Sequence, residues 1–517
     1  MRTQIPQPVI ATLAALEKAG FEAYIVGGCV RDLLLDKPPK DWDITTDARP
    51  EALLEIFPDS FYENTFGTVG VKVPPFLPGK TDTREHDIIE VTTYRSESGY
   101  TDHRRPDSVT FVSTLEEDLA RRDFTMNAIA GKVTQPEKNG QEKSSRTISS
   151  EECEITFIDP FHGQEDIRAQ KIRAVGVATE RFSEDALRMM RGVRLLSELS
   201  QAPKGGTKSA SPWVIEETTL SAIRSEAKTL SRVSQERIRD EFSRIILSDN
   251  AMEGVALLQS TGLLASIIPE LEEGVGMSQN LHHIYSVWEH NLRALATCPS
   301  QKLEVRLAAL LHDVGKPRTK RGEGYRATFY NHDHVGGRMT RAILTRLRYP
   351  KPIVDKASLL VDQHLFYYNV GEVTEASVRR LIRRVGLENM DDLMAVRIGD
   401  RLGSGVPKAK PYKLRHLEYM IEKVSKDPLS VGMLAIKGTD LMGELGMTPG
   451  PMIGAILDVL LAEVIEEPKN NTKPILLERA ALLARQDLKL LRKQAQEKIH
   501  EERAAEDAKI KKGHWVE

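Results

Sequence analysis

The sequence predicts an α+β fold in which strands and short helices mix in the N-terminal region and helices alone follow. Two observations carry this expectation. Segments that alternate apolar and polar residues, such as 68–73 and 87–93, lie early in the chain, and after Asp185 nearly every segment repeats its apolar residues at helical spacing. The length of 517 residues is enough for three or four domains with sizeable cores.

Taken in order, residues 9–19 carry apolar side chains at helical spacing, and Gly20 stops that helix. Residues 21–26 read as a strand leading into the glycine turn Gly27-Gly28. Residues 68–73 and 87–93 read as strands, separated by a proline-rich loop at 74–80. The polar, basic, glycine-containing stretch 96–107 predicts a mobile loop, and 115–130 predicts one helix. Residues 132–152 and 201–212, rich in Lys, Glu, Ser and Gly, predict disordered insertions. The stretch beyond 485 mixes both signs of charge and predicts a solvated helix or a frayed tail.

The net charge of −3 and the pI near 6.5 neither indicate nor exclude a nucleic-acid partner, because basic residues can gather on one face. Three separated cysteines (Cys29, Cys153, Cys298) make neither a disulfide framework nor a zinc pattern, and point to a reducing, cytoplasmic setting. No secretory signal and no membrane span are expected. The apolar stretch 452–464 is short and carries Asp458 and Glu463.

Chemistry concentrates in a few strings. Gly27-Gly28-Cys29-Val30-Arg31-Asp32 precedes Asp41-Trp42-Asp43. On a strand, side chains two apart share a face, so Asp41 and Asp43 present paired carboxylates of the kind that hold Mg²⁺ for phosphoryl transfer. Gly28 lets the backbone approach a phosphate, and Arg31 adds a charge. Glu90 supplies a third carboxylate suited to aligning an attacking hydroxyl. In Arg121-Arg122-Asp123-Phe124-Thr125-Met126-Asn127-Ala128, read as two helical turns, Arg122 suits a phosphate, while Asp123 and Asn127 suit ribose hydroxyls.

Asp185 and Arg188 stand i and i+3, with Arg191 and Arg194 continuing the stripe. A carboxylate that accepts from an exocyclic amine, beside a guanidinium that donates to a ring nitrogen, reads the edge of cytosine or adenine. Uracil and guanine would leave buried polar groups unpaired. The simplest alternative is a surface salt bridge.

In this order, and with Asp159-Pro160-Phe161-His162-Gly163 and Ser234-Gln235-Glu236-Arg237-Ile238 added, the strings resemble the class II tRNA nucleotidyltransferases, the CCA-adding enzymes with the bacterial poly(A) polymerases as close relatives. The resemblance spans roughly residues 5–480. It implies a polymerase-β-like head with a mixed sheet, followed by an all-α neck, body and tail. The boundaries expected are 1–160 (head), 161–275 (neck), 276–405 (body), 406–484 (RNA-binding tail) and 485–517 (charged extension). It also implies that Asp41 and Asp43 bind Mg²⁺ and that Gly28, Arg31, Arg122, Asp185, Arg188, Arg191 and Arg194 contact the nucleotide.

A second constellation lies in the helical part. His290, the string Leu310-Leu311-His312-Asp313-Val314-Gly315-Lys316, and His332, His334, His364 and Asp400 offer imidazoles and carboxylates for one or two divalent ions. This resembles the HD phosphohydrolase superfamily, in which His290, His312, Asp313 and Asp400 would be the ligands of a second metal.

The reading reached is a template-independent nucleotidyltransferase that adds CCA to the tRNA 3′ end from CTP and ATP, with no membrane or protein partner inferred. The alternatives are a poly(A) polymerase, a CC-only or A-only adding enzyme, and a chain that acts mainly as an HD phosphohydrolase.

Overall fold

The structure is a computed structural model. It describes residues 1–62, 67–76, 86–98, 108–135, 150–200, 213–279, 284–323, 326–366, 368–405, 410–426, 434–466, 468–487, 493 and 511–516. Two compact units divide the chain, Met1–Asp362 and Gln363–Glu517.

The first unit opens with strand β1 (Arg2–Pro6) and the helix Gln7–Lys18, whose Val9, Ile10, Leu13 and Leu16 are buried and which ends at Gly20 with φ of +90°. The strands that follow are β2 (Ala23–Val26), β3 (Asp43–Thr46), β4 (Ser60–Tyr62), β5 (Thr68–Val73), β6 (Asp87–Thr93), β7 (Arg95–Ser98), β8 (Ser108–Phe111), β9 (Ala130–Thr134) and β10 (Ser150–Ile158). β1 and seven of these form one mixed eight-stranded sheet in the order β1-β10-β9-β2-β3-β6-β5-β4. β3 runs parallel to β6, with Asp43 opposite Glu90, and antiparallel to β2. Ile25, Ile44, Ile89 and Val91 are fully buried in this sheet, so its register is held by packing and the loop before β3 has a fixed position.

Beyond the sheet the first unit is helical. Leu187–Leu199 packs against Gln235–Leu247, and Leu303–Leu311, His332–Arg346 and Lys351–Asp362 form a further layer. The second unit has one helical cluster around Val378, Met394, Leu417 and Tyr419 and another around Ile436, Leu441, Ile456 and Leu460. Among the described residues no helix is long and apolar enough to cross a membrane.

Several expectations need correction. The helix foreseen at 115–130 stops at Ala120; Phe124 is extended and bridges Ala174, a 3₁₀ turn covers Thr125–Asn127, and Ala130 begins β9. The string from Arg121 to Ala128 is therefore a bend, and its buried residues fill sheet and turn positions that helical counting cannot distinguish. The ends of the 132–152 insertion are strand, because Cys153 and Ile155 are buried between exposed Glu152 and Glu154, an alternation hidden by the charged composition. The ends of the 96–107 loop form the hairpin β7–β8, with Arg95 opposite Phe111. The rest of these two stretches, the 201–212 insertion and most of the tail beyond 487 lie outside the described residues.

Candidate active site and candidate metal centre

The paired carboxylates sit where β3 begins. Asp43 is the first residue of β3 and Asp41 lies just ahead of it, so the two are not on one strand. The alternation still holds. Trp42 is buried and lines a cavity with Leu33 and Phe76, whereas Asp41 and Asp43 line a separate cavity of about 930 Å³. Burial and the charge of Asp41 push the Asp43 carboxyl up to about 6, against the pull of Arg122. Two such carboxylates repel each other, and a hard divalent cation relieves the repulsion, so this oxygen donor set fits the ion expected from the sequence. Gly27, with φ of +79°, keeps the backbone against this pair. A Cβ there would stand 3.2 Å from Arg122 Nη1 and 3.5 Å from Asp43 Oδ2.

Arg31, Arg122, Asp123 and Asn127 all reach the same cavity. Arg31 donates to Asp32 Oδ1 (2.7 Å) and to Asn127 Oδ1 (3.0 Å), and Asn127 in turn donates to Asp123 Oδ1 (3.1 Å). Burial opposes the charge of Asp123, yet Arg191 at 3.5 Å and the Asn127 amide hold its carboxyl below the usual range. Glu90 is exposed on β6, opposite Asp43 in the neighbouring strand, and does not line the cavity.

Asp185 and Arg188 are arranged differently from the expected helical stripe. The helix Ala178–Glu184 ends at Asp185, and a new helix runs from Leu187 to Leu199. Asp185 Oδ1 accepts from Leu187 N–H (3.1 Å), while Oδ2 pairs with Arg237 Nη2 (2.7 Å). Arg188 donates to Glu184 (2.6 Å), to Arg181 O (3.2 Å) and to Arg121 O (3.0 Å). Arg194 pairs with Glu241 (2.6 Å) and Glu198 (2.9 Å), and Arg191 stands 3.5 Å from Glu241. The cavity thus gathers Gly28, Arg31, Asp41, Asp43, Arg122, Asp123, Asn127, Asp185, Arg188, Arg191 and Arg194.

Sequence reasoning missed several residues here. Arg237 and Arg244 also line the cavity, at i and i+7 of the Gln235–Leu247 helix, and that spacing was the available signal. Lys37, Lys40 and Arg121 add positive charge to it. Asp118, fully buried, accepts from Arg121 (2.7 Å), Arg122 (3.3 Å) and Thr45 (3.1 Å) and so ties both arginines to β3.

A second cluster lies among the helices of the first unit. His290 Nε2 stands 2.9 Å from His312 Nε2, and each is 3.3 Å from Asp313 Oδ2. His332 Nε2 is 3.2 Å from Asp313 Oδ1, and Lys316 Nζ is 2.5 Å from Oδ2. His312 and His332 place Nδ1 against the carbonyls of Ala309 (2.8 Å) and Phe329 (2.7 Å). A carbonyl only accepts, so Nδ1 carries the hydrogen and Nε2 faces the carboxylate, where once deprotonated it would serve as a ligand to a divalent ion. Burial opposes the charge of Asp313, but His312 and Lys316 hold it well below the usual range. His332 was among the imidazoles that the sequence offers, but outside the ligand set that the HD resemblance implies. Asp400 belongs to the second unit, on the helix Met390–Gly403, where it accepts from Arg397.

Comparison with known proteins adds four findings. The family model described as Poly A polymerase head domain matches residues 23–173, the HD domain model matches 280–402, and a model for tRNA nucleotidyltransferase domain 2 matches 422–480. A CCA-adding enzyme of Lactobacillus delbrueckii is 43% identical over 262 residues, about half of each protein (50% of this chain, 55% of the relative). A CCA-adding enzyme of Geobacillus thermodenitrificans is 31% identical over 470 residues, 90% of this chain and 94% of the relative. The crystal structure of the Bacillus stearothermophilus CCA-adding enzyme in complex with CTP superposes with a TM-score of 0.54 at 30% identity, covering 92% of this chain and 97% of that one.

Proposed function

This chain belongs to the family of CCA-adding enzymes, and on that footing we infer that it is a nucleotidyltransferase that adds C, C and A to the 3′ end of tRNA from CTP and ATP. The observation that carries the reading is one cavity bringing the Asp41/Asp43 carboxylates together with Arg31, Arg122, Asp185 and Arg188. That cavity puts a place for a triphosphate beside groups able to read a base edge.

The residues divide the work as follows. Asp41 and Asp43 would hold the divalent metal, taken as Mg²⁺, which when bound polarises the α-phosphate and acidifies the primer hydroxyl. Gly28 leaves the backbone open to a phosphate, and Arg31 and Arg122 bind the phosphate oxygens through their planar forks. Asp123 and Asn127, already locked to each other, offer an acceptor and a donor to the ribose hydroxyls. Asp185 accepts from the exocyclic amine of cytosine or adenine, and Arg188 donates to the ring acceptor beside it. Arg191 and Arg194 keep the far wall positive. Glu90, exposed on the strand beside Asp43 but outside the cavity lining, would align the primer hydroxyl. That hydroxyl forms the new bond to the α-phosphorus as the bond to pyrophosphate breaks.

The domain reading belongs to the same proposal: head 1–160, neck 161–275, HD body 276–405, RNA-binding tail 406–484 and extension 485–517. So does a second divalent ion, for which His290, His312 and Asp313 are the candidate ligands within the first unit. A cytoplasmic location is supported by three buried, unbonded cysteines.

The test is extension of a tRNA lacking CCA and of one ending in CC, with CTP, ATP or both. Three additions that stop at CCA are expected from the wild type, and none from Asp41→Ala or Asp43→Ala. Adenosine runs without use of CTP would make the chain a poly(A) polymerase, the reading favoured by the description of its head model. Phosphate release without any addition, lost on His312→Ala, would move the function to the HD region.

A further inference from the structure

The partner of the base-reading carboxylate is not the arginine that the sequence places beside it. Asp185 is 8% exposed, and both of its oxygens are engaged: Oδ1 by the Leu187 N–H that it caps, Oδ2 by Arg237 at 2.7 Å. Arg188 is directed to Glu184 and to two backbone carbonyls instead. Asp185 and Arg188 are thus held by separate sets of partners, and among the described residues the side-chain hydrogen bond to Asp185 comes from Arg237, 52 residues further along the chain.

We propose that Arg237 is a positioning and specificity-determining residue, which fixes the Asp185 carboxylate so that one lone pair faces the amine of an incoming cytosine or adenine. The proposal rests on the reading of Asp185 as a base reader. Rejecting uracil and guanine depends on leaving the wrong base's carbonyl opposite an acceptor that cannot turn away. With the backbone cap alone, the carboxylate is free to swing about its terminal torsion, which has a broad, soft profile. The Arg237 guanidinium, anchored as a second point, removes that freedom.

The helix that carries Arg237 is itself immobilised. Arg237, Glu241 and Arg244 lie on its cavity side at i, i+4 and i+7. Arg239, Ser243 and Ile246 repeat that spacing on another side. Arg239 donates to Arg348 O (2.7 Å), Ser243 bonds the Tyr349 hydroxyl (2.9 Å), and the Ile246 carbonyl accepts from Arg306 (2.6 Å). The orientation of Asp185 is in this way referred to a helix gripped from behind.

The experiment measures kcat/KM for CTP against UTP on a tRNA lacking CCA, and for ATP against GTP on a tRNA ending in CC, with full-length protein. The variants are Arg237→Ala, Arg237→Lys, Asp185→Ala and the Arg237→Ala/Asp185→Ala pair. Arg237→Ala is expected to lower both preference ratios roughly 10- to 100-fold. Arg237→Lys should recover part of that loss, and the double variant should match Asp185→Ala alone.

Equal slowing of all four nucleotides by Arg237→Ala, with the ratios kept, would reduce Arg237 to a structural support and overturn the proposal. Additive losses in the double variant would mean that Arg237 reads the base directly, which also overturns it. Ratios unchanged in Asp185→Ala would refute the base-reading premise itself, an outcome separable from failure of Arg237 alone. Should Arg237→Ala not fold, Arg237→Gln is measured for the same ratios and judged by the same outcomes.

Discussion

Asp118→Asn is the substitution that most directly tests how the site is held. Asp118 is fully buried, and its two oxygens accept from Arg121 Nε and Nη2 (2.9 and 2.7 Å), Arg122 Nη2 (3.3 Å), Thr45 Oγ1 (3.1 Å) and Arg95 N–H (3.4 Å). Asparagine keeps the shape and one acceptor but removes the charge that balances two largely buried guanidinium groups. Breaking a buried pair on one side typically costs about 3–5 kcal/mol, and the retained acceptor places this case near 3 kcal/mol.

Burial opposes the Asp118 charge, but Arg121 and Arg122 outweigh it and hold the carboxyl below its ordinary value. A lowered folded-state value means that the stabilisation is complete above the unfolded value, near pH 4, and is lost as the pH falls further. The stability gap between wild type and Asp118→Asn should therefore be flat from pH 8 to pH 5 and narrow below pH 4. Urea unfolding followed by tryptophan fluorescence measures it. In steady-state assays at pH 7, a loosened Arg122 should raise KM for CTP and ATP together, by roughly tenfold, and leave the choice between them unchanged. A gap under about 1 kcal/mol at pH 7, or one that stays constant through pH 3, would refute this account of Asp118.

Two further substitutions address the scaffold. Arg306, 4% exposed, donates to the carbonyls of Ile246 and Ser248 at the end of the Gln235–Leu247 helix, so Arg306→Met should cost about 3 kcal/mol in the same unfolding assay and lower the fidelity of nucleotide choice as that helix loosens. A Cβ on Gly315 would stand 2.3 Å from His332 O and 2.7 Å from Gly336 N, both backbone atoms, so Gly315→Ala should lower the melting temperature by several degrees and reduce divalent-ion retention measured by elemental analysis.

Much of this was legible in the sequence, for identifiable reasons. The glycine turn, Asp41 and Asp43, Arg122, and Asp185 with Arg188 were found because their spacing is local and their chemistry is distinctive; all of them line one cavity. What failed was the local shape between them. Phe124 occupies a sheet-like bridge to Ala174, a contact fifty residues distant that no window of helical period contains. β1 and β10 pair Arg2–Pro6 with residues 150–154, and neither partner looks like a strand until the other is known. Asp118 was invisible for a similar reason. A lone acidic residue in a charged helix carries no mark of its burial, and only the fold brings Thr45 and Arg122 to it.

The same limit explains why the sequence offered a surface salt bridge as the simplest alternative for Asp185 and Arg188, and why the structure shows other partners for both. Spacing of i and i+3 suggests that Asp185 and Arg188 bond each other, but the chain breaks its helix between Glu184 and Leu187, and that break turns the carboxylate back to cap the next helix. An aspartate that both caps a helix and meets an arginine from another has little freedom left. Arg188, held by Glu184 and by the carbonyls of Arg181 and Arg121, has equally little. In the proposed reading, two groups that bonded each other would have to part before meeting a base, and their separation would cost part of the discrimination proposed for them. Held apart by other partners, both line the cavity with little freedom of their own, and in the proposed reading that is the condition under which a wrong base would be left unpaired.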